Sequence, residues 1–302
     1  MTTLTVVRPI TITDPVLISS TVPEDPLSPW SAAVNYALGA RAYLASNHKI
    51  YQSLQAGNLN HSPTGAGANI WWVEVSATNR WKMFDTSNST STVAANNMTY
   101  VIRPGSVINC VALLGVVASS VRIRMTDPTD GLVYDRTFAL SGVLPGSNWY
   151  DYFFAQVNTK DQVLALDLPP YSQADVQIDI IGGATVSCAT CIMGYQRLIG
   201  KGVHYGARVG IQDYSRTQTN DFGDTEFVQR AFAKRADVTV TLDNGQVTAV
   251  QSFLAGLRAV PCLWIGYEEI GALTIFGFYK EFNIVVKYFS ESDCDISLQG
   301  LT

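Results

Sequence analysis

The residues that could carry chemistry in this sequence are few, and they stand far apart. The only histidines are His48, His61 and His204, although His is the usual base that activates a Ser or Cys nucleophile. The metalloprotease pattern H-E-x-x-H and the G-x-S-x-G turn of hydrolases are both absent. We therefore interpret each histidine as a loop or surface residue, and the sequence predicts no catalytic residue and no metal site.

The cysteines do not form a recognisable disulfide or zinc pattern. Their number is odd and their spacing irregular, which is a poor framework for disulfides. The single C-x-x-C, from Cys188 to Cys191, lies in an apolar, strand-like run, and no second pair completes a tetrahedral zinc site. We expect five buried, reduced thiols: Cys110, Cys188, Cys191, Cys262 and Cys294.

Paired carboxylates could hydrolyse a glycosidic bond, but no organised pair is visible. Glu268 and Glu269 are adjacent, so along a strand they point to opposite faces. Asp221-Phe222-Gly223 matches the magnesium motif of kinases without the other kinase motifs, and we interpret it as part of a polar turn. Other acidic residues could form a pair only if the tertiary fold brings them together: Glu74, Asp85, Asp151 and Glu226. The chain is therefore predicted not to be an enzyme and to need no cofactor.

The composition favours a protein that packs against other subunits. Charged residues make up only 15% of the chain, against roughly 25% in an ordinary globular protein. The net charge of -5 and the lack of any basic cluster argue against nucleic acid as a partner. No stretch of about 18 apolar residues occurs, so no membrane insertion is predicted. The start, Met1 to Leu4, lacks the features of a signal peptide, which predicts synthesis in a cytoplasm.

Turns and changes of composition divide the chain into four predicted parts. Residues 1–28 alternate Thr, Val and Ile and then collect prolines, which predicts an extended N-terminal arm and linker. Because such an arm has little core of its own, we expect it to pair with a neighbouring subunit. Residues 29–76 form a small aromatic module, with short strands at Ala42–Ala45 and Ile50–Leu54.

The two larger parts follow. Residues 77–200 contain many short strands between turns, and Val121–Met125 and Val176–Ile180 alternate apolar and polar side chains. This predicts an antiparallel β-sandwich that is jelly-roll-like. Residues 201–302 are predicted to form an α+β module with one helix, capped near Asp243-Asn244. The apolar positions of this helix are Val247, Val250, Leu254 and Leu257. Because strands dominate the other parts, the predicted fold class is mainly β.

The aromatic part resembles the small module found at the ends of bacterial chitinases and other glycan-degrading enzymes. That resemblance implies a three-stranded sheet that binds polysaccharide on exposed aromatic rings. This chain has Gln52-Ser53-Leu54-Gln55 where the family presents further aromatic side chains. The residues that carry the resemblance are Trp30, Tyr36 with Gly39, Tyr43, Tyr51, the Gly57-Asn58 turn with Pro63, and Trp71-Trp72.

Two groups of aromatic residues are candidates for binding glycan. Tyr51, Trp71 and Trp72 belong to the small module, and a second run contains Trp149, Tyr150 and Tyr152. The alternative interpretation is that the rings of the module form its own core and a subunit contact. For the second run, the alternative is a buried strand of the sandwich.

Several further phrases look like structural proteins of tailed bacteriophages. Such a resemblance implies a virion protein of the tail tip or baseplate, made in the host cytoplasm and assembled as a homo-oligomer. Its partners would be other copies of itself and other phage tail proteins. The alternative function is a receptor-recognition protein of the tail that binds host-surface glycan. The phrases are 74–85, Arg208–Arg216, Arg230–Arg235, Val260–Ile265 and Ser297–Thr302.

Overall fold

A computed structural model describes residues 3–142, 158–219 and 225–301, and strands dominate it, which confirms the predicted mainly β fold. The described helices are Ala68–Trp71 and Val247–Gly256, and short turns of 3-10 helix lie at Lys82–Phe84, Asn244–Gln246 and Gly271–Leu273. In chain order the strands are β1 (Leu4–Pro9), β2 (Leu17–Ser20), β3 (Asn35–Tyr36), β4 (Arg41–Leu44), β5 (Lys49–Ser53), β6 (Asn58–Leu59), β7 (Trp72–Ala77), β8 (Thr92–Ile102), β9 (Cys110–Leu114), β10 (Ser120–Asp127), β11 (Gly131–Ala139), β12 (Ser141–Gly142), β13 (Asn158–Thr159), β14 (Gln162–Ala165), β15 (Asp175–Cys188), β16 (Thr190–Ile199), β17 (Gly202–Val203), β18 (Arg208–Asp213), β19 (Arg216–Thr219), β20 (Thr225–Val228), β21 (Phe232–Asp243), β22 (Cys262–Ile265), β23 (Thr274–Val286) and β24 (Glu291–Gly300).

Two sheets make up most of the structure. The larger has ten strands in the order β14–β9–β16–β1–β22–β23–β24–β21–β17, with β18 also paired to β21. The second sheet, β11–β10–β15–β8–β2, packs against the β14–β9–β16 end of the first through a shared core. This arrangement confirms the predicted antiparallel sandwich, to which β2, from outside residues 77–200, also contributes.

The sandwich core follows from the alternation of its strands. Along Val121–Met125, every second side chain is buried, and Ile178 of β15 is buried beside them. Leu113 of β9 and Met193 of β16 enter the same core from the larger sheet. Apolar residues at every second position thus face inward from both sheets, as a half-buried strand requires.

The helix covers the opposite end of the ten-stranded sheet. Val250 and Leu254 are buried against a core that includes Trp264 of β22 and Ile296 of β24. The predicted helix on a sheet is therefore confirmed. Its face toward the sheet is apolar because the buried residues recur at helical spacing.

The predicted helix cap was wrong. A 3-10 turn, Asn244–Gln246, precedes the helix, and neither Asp243 nor Gln246 makes a side-chain cap hydrogen bond. The amide of Asn244 instead donates to the backbone carbonyls of Tyr288 and Phe289, at 3.0 and 2.8 Å. This residue therefore shapes the loop between β23 and β24 rather than the helix.

The first strand does not reach out to a neighbouring subunit. β1 lies in the middle of the ten-stranded sheet, between β16 and β22. Leu4 and Val6 are buried on the face that the helix covers, and Val7 is buried on the opposite face. The expectation of a free arm was wrong because a strand buried on both faces belongs to the core. Through β1, the parts predicted as 77–200 and 201–302 share one sheet.

A glycine lets β1 lie close to β16. Gly194 stands opposite Pro9 in the register. A Cβ atom built on Gly194 would lie 2.3 Å from the carbonyl oxygen of Arg8 and 3.0 Å from a methyl group of Val7. Any larger residue would therefore push the two strands apart.

The aromatic module has the three-stranded sheet that its resemblance implies. Strands β4, β5 and β7 form this sheet, and β3 pairs with β6 beside it. The chain turns between β4 and β5 at His48, whose φ of 55° is left-handed. A tight turn at this point matches the strand–turn–strand pattern predicted from the sequence.

We expect Leu4→Ala to lower the free energy of unfolding by about 2–5 kcal/mol, because it removes a fully buried side chain from the core. Leu198→Ala is the matched control, since Leu198 lies on the neighbouring strand and is 60% exposed. Chemical denaturation followed by circular dichroism measures both values. Equal stabilities for the two variants would contradict the central place of β1.

Candidate functional site

Two of the glycan-binding candidates are core residues. Trp72 is 3% exposed and Tyr51 is 5% exposed. The ring of Trp72 meets that of Tyr36 edge to face at 5.0 Å, and its Nε1 donates a hydrogen bond to the carbonyl oxygen of His61. A buried ring offers no face to a sugar, so Tyr51 and Trp72 are removed as glycan-binding candidates. For these two, the core interpretation is the right one.

Trp71 is the candidate of the module that keeps some exposed surface. Its ring stacks on that of His61, with centroids 3.8 Å apart and an angle of 9° between the planes. Ile70 beside it is more than half exposed. Because His61 covers one face of the indole, a sugar could contact only the remaining face or the edge. The other candidates, Trp149, Tyr150 and Tyr152, lie outside the described residues.

The densest polar cluster surrounds His48. Its Nδ1 lies 2.9 Å from an oxygen of Glu24 and its Nε2 lies 2.9 Å from an oxygen of Asp14. The imidazole also stacks on the indole of Trp81 at 4.1 Å. The imidazole therefore bridges two carboxylates and packs its face on an indole.

This cluster joins three segments of the chain, and Asp14, His48 and Trp81 also line a cavity of about 280 Å³ beside it. Glu24 belongs to the segment before the module, and its carboxylate also accepts a hydrogen bond from the Thr78 hydroxyl at 2.7 Å. Arg80 approaches the second oxygen of Glu24 at 3.4 Å. The prediction that His48 is only a loop or surface residue was incomplete, because the side chain clamps the module to its neighbours. No sequence pattern signals this role.

The cysteines are buried and unpaired, as predicted. All five are free thiols, so Cys188 and Cys191 form no disulfide. Burial raises the pKa of the Cys110 and Cys188 thiols to about 12, and those of Cys262 and Cys294 to about 11. Within residues 3–142, 158–219 and 225–301, no group of His, Cys, Asp or Glu is arranged to hold a metal ion. These thiols therefore fill space in the core.

One part of the molecule has almost no core of its own. We call strands β18, β19 and β20 the ribbon. In the described structure, β18 pairs only with β21, and β19 pairs only with β20. All its residues except Gln212 are exposed. Its exposed large apolar side chains are Val209, Ile211, Phe227 and Val228.

The ribbon is only weakly stabilised by its own contacts while it is exposed to water. A lone two-stranded hairpin is at best marginally stable, and an unpaired strand edge is a template for pairing with another chain. Val209 and Ile211 lie on the same face of β18, because residues two apart point the same way. The ribbon therefore combines free backbone groups along its edge with apolar side chains on its face, and it is our candidate functional site.

The sequence was informative about the ribbon only in part. The phrase Arg208–Arg216, which resembles phage structural proteins, covers β18 and begins β19. The polar turn predicted around Asp221 lies outside the described residues. That no described segment covers the ribbon could not be predicted, since its alternation is the same as that of a half-buried strand.

Comparison with known protein families, with curated proteins and with solved structures finds no match to this chain. Among the described helices, none has the length and apolar character that crossing a membrane requires.

We expect an aromatic disulfide reagent, which releases a coloured thiolate when it reacts with a thiol, to leave the native protein unmodified at pH 8. The raised thiol pKa values keep the cysteines neutral, and burial keeps them out of reach of the reagent. Unfolding in denaturant should release five reactive thiols, whose pKa returns to about 8.5. Because the thiol pKa values are higher in the folded protein, the thiols favour folding at a pH below about 8.5. This contribution is lost as the pH rises from there toward the folded values of about 11 and about 12. Absorbance during the titration counts the thiols, and rapid reaction of the native protein would contradict this assignment.

Proposed function

We propose that this chain is a non-enzymatic structural subunit of a phage tail tip or baseplate, assembled in several symmetric copies through its ribbon. The observation that carries the proposal is the ribbon itself, which exposes both faces and one strand edge. A covering surface from another copy would bury its apolar side chains and pair its free backbone groups.

The composition supports the same function. A low content of charged residues leaves fewer ions to remove from water when surfaces meet. The resemblance to phage structural proteins adds support, because two of its phrases, Arg208–Arg216 and Arg230–Arg235, lie along the ribbon and the strand that follows it. An assembly contact is thus expected where the family-like residues and the uncovered surface coincide.

The polar clusters that the structure describes suit a structural role. The carboxylates around His48 are engaged by His, Thr and Arg side chains, and Asp179 accepts hydrogen bonds from Thr99 and Arg124 on adjacent strands. The guanidinium of Arg122 holds the pKa of the Asp135 carboxyl below its usual range. Each of these carboxylates is held by side chains from other strands or segments and so links parts of the chain.

We expect Ile211→Glu to abolish self-association, because it places a charge on the apolar face of the ribbon and its desolvation opposes contact. Light scattering behind size-exclusion chromatography measures the mass. The wild type should run as a multiple of the 32.9 kDa chain and the variant as a monomer. Leu132→Glu is the matched control, since Leu132 is also exposed, at 57%, but lies on β11.

The circular dichroism spectrum of Ile211→Glu should match that of the wild type, because the substituted side chain is exposed and has no core contact to lose. A wild type that remains monomeric would count against the proposal, as would a normal mass for the Ile211→Glu variant.

A second candidate function, recognition of host-surface glycan, is favoured by one observation. Trp71 stays partly exposed beside the exposed Ile70, next to the core that Trp72 completes. We expect Trp71→Ala to lose any retention on insoluble polysaccharide while its module stays folded. Trp72→Ala should instead make the module sensitive to trypsin at Arg41 and Lys49, since it removes a core ring. Equal retention of wild type and Trp71→Ala would end the glycan function at this site.

A further inference from the structure

We propose that assembly is head to tail, with Phe289 of one copy inserted into a cavity at the base of the ribbon of the next copy. This inference rests on the proposed function and names the partner and the contact residues. Three features of the structure support it: the presentation of Phe289, the cavity, and the distance between them within one chain.

Phe289 is presented to solvent by an ordered loop. It lies between β23 and β24 and is fully exposed, and Val286 and Tyr288 beside it are also exposed. The amide of Asn244 donates to the carbonyls of Tyr288 and Phe289, while its backbone N–H donates to the carbonyl of Ser290 at 3.1 Å. A loop whose backbone is fixed by three hydrogen bonds loses little freedom on binding, so the backbone that carries this ring is preorganised for a contact.

The cavity has the size and character to receive an aromatic ring. Its volume is about 280 Å³, and a cavity of roughly 150 Å³ is enough to bind benzene. Apolar side chains from several strands and from the C-terminal segment dominate its wall. They include Leu114, Phe232, Ile275, Phe276 and Leu301.

One polar atom of the wall lacks a partner. Thr274 is 1% exposed, and its hydroxyl finds no hydrogen-bond partner in the described part of the chain. It stands two residues before Phe276 on β23, so both side chains point to the same face of the sheet. Thr274 and Phe276 therefore both belong to the buried wall of the cavity.

The tip and the cavity of one chain cannot meet. Thr274, which lines the cavity, begins β23, and Val286, just before the tip, ends it. Thirteen residues of strand span about 40 Å. The occupant must therefore come from another copy, which makes the contact heterologous and able to close into a ring.

The position of the cavity fits the same partner. Phe232 lines the cavity and follows the ribbon by only a few residues. A copy docked at the cavity would therefore lie against the surface that the proposed function requires to be covered.

The test uses two variants with complementary defects. Phe289→Asp removes the inserted ring and keeps the cavity, while Ala231→Trp keeps the ring and fills the cavity from its exposed rim. In analytical ultracentrifugation we expect each variant alone to be a monomer, with self-association weakened at least about thirtyfold, the loss typical of a hot-spot aromatic. An equimolar mixture should form a dimer and nothing larger, because only one productive contact remains. Leu38→Asp, on the exposed surface of the aromatic module, is the control and should assemble as the wild type does.

The outcomes distinguish the head-to-tail contact from the role of the ribbon in assembly. If Phe289→Asp assembles normally while Ile211→Glu does not, the head-to-tail inference falls and the proposed function stands. A mixture that stays monomeric, or grows beyond a dimer, also overturns the inference. If Ile211→Glu assembles normally while the two complementary variants do not, the contact at the cavity stands and the role of the ribbon falls. A wild type that is monomeric at every concentration overturns both. Circular dichroism of each variant confirms that the loss of assembly is not a loss of fold.

Discussion

Burial of β1 on both faces, between β16 and β22, is the constraint on which the rest of the structure depends. Without this strand, the sandwich strands β9 and β16 and the helix-covered strands β22 to β24 would have no backbone connection across the sheet. Leu4 and Val6 close one core and Val7 another, so a single short segment supports two apolar clusters. Gly194 keeps this insertion possible because it leaves room for the backbone of Arg8.

A continuous sheet also fixes where the exposed features lie. β21 carries the ribbon on its outer side through β18 and pairs with β24 on its inner side. β24 in turn forms the hairpin with β23 that ends at Phe289. The cavity, the ribbon and the exposed ring are thus attached to neighbouring strands of one sheet. Their separations are set by the strands, which is what an assembly with a repeated geometry requires.

Local patterns predicted much of this fold, and long-range pairing was what they could not predict. Alternation along Val121–Met125 identified a half-buried strand, and the spacing of Val250 and Leu254 identified the helix face. The same alternation in residues 4–9 predicted a strand but not its neighbours, since β16 and β22 are nearly 190 and 260 residues away. Prolines after this strand favoured an arm, whereas the sheet places them in the connection that leaves it.

The candidate site was predicted to a smaller degree. Trp71 and Trp72 are adjacent, and the sequence could not say which ring faces the core. Asn244 was interpreted as a helix cap because Asn favours that position, yet its amide binds a loop more than forty residues away. Exposure of the ribbon depends on which distant segments pack over it, and no local pattern encodes such long-range packing.

The ribbon and the cavity would contribute differently to an assembly. An open strand edge pairs through backbone groups that every residue has, so it gives adhesion but specifies the register weakly. A ring inserted into a cavity has one position, because packing is lost when it shifts by even a fraction of its width. In the proposed contact, Phe289 therefore sets the register and the ribbon supplies area. The hydrogen bonds of Asn244 fix the backbone of the loop, so the exposed ring would be offered to a partner from a defined point of the sheet.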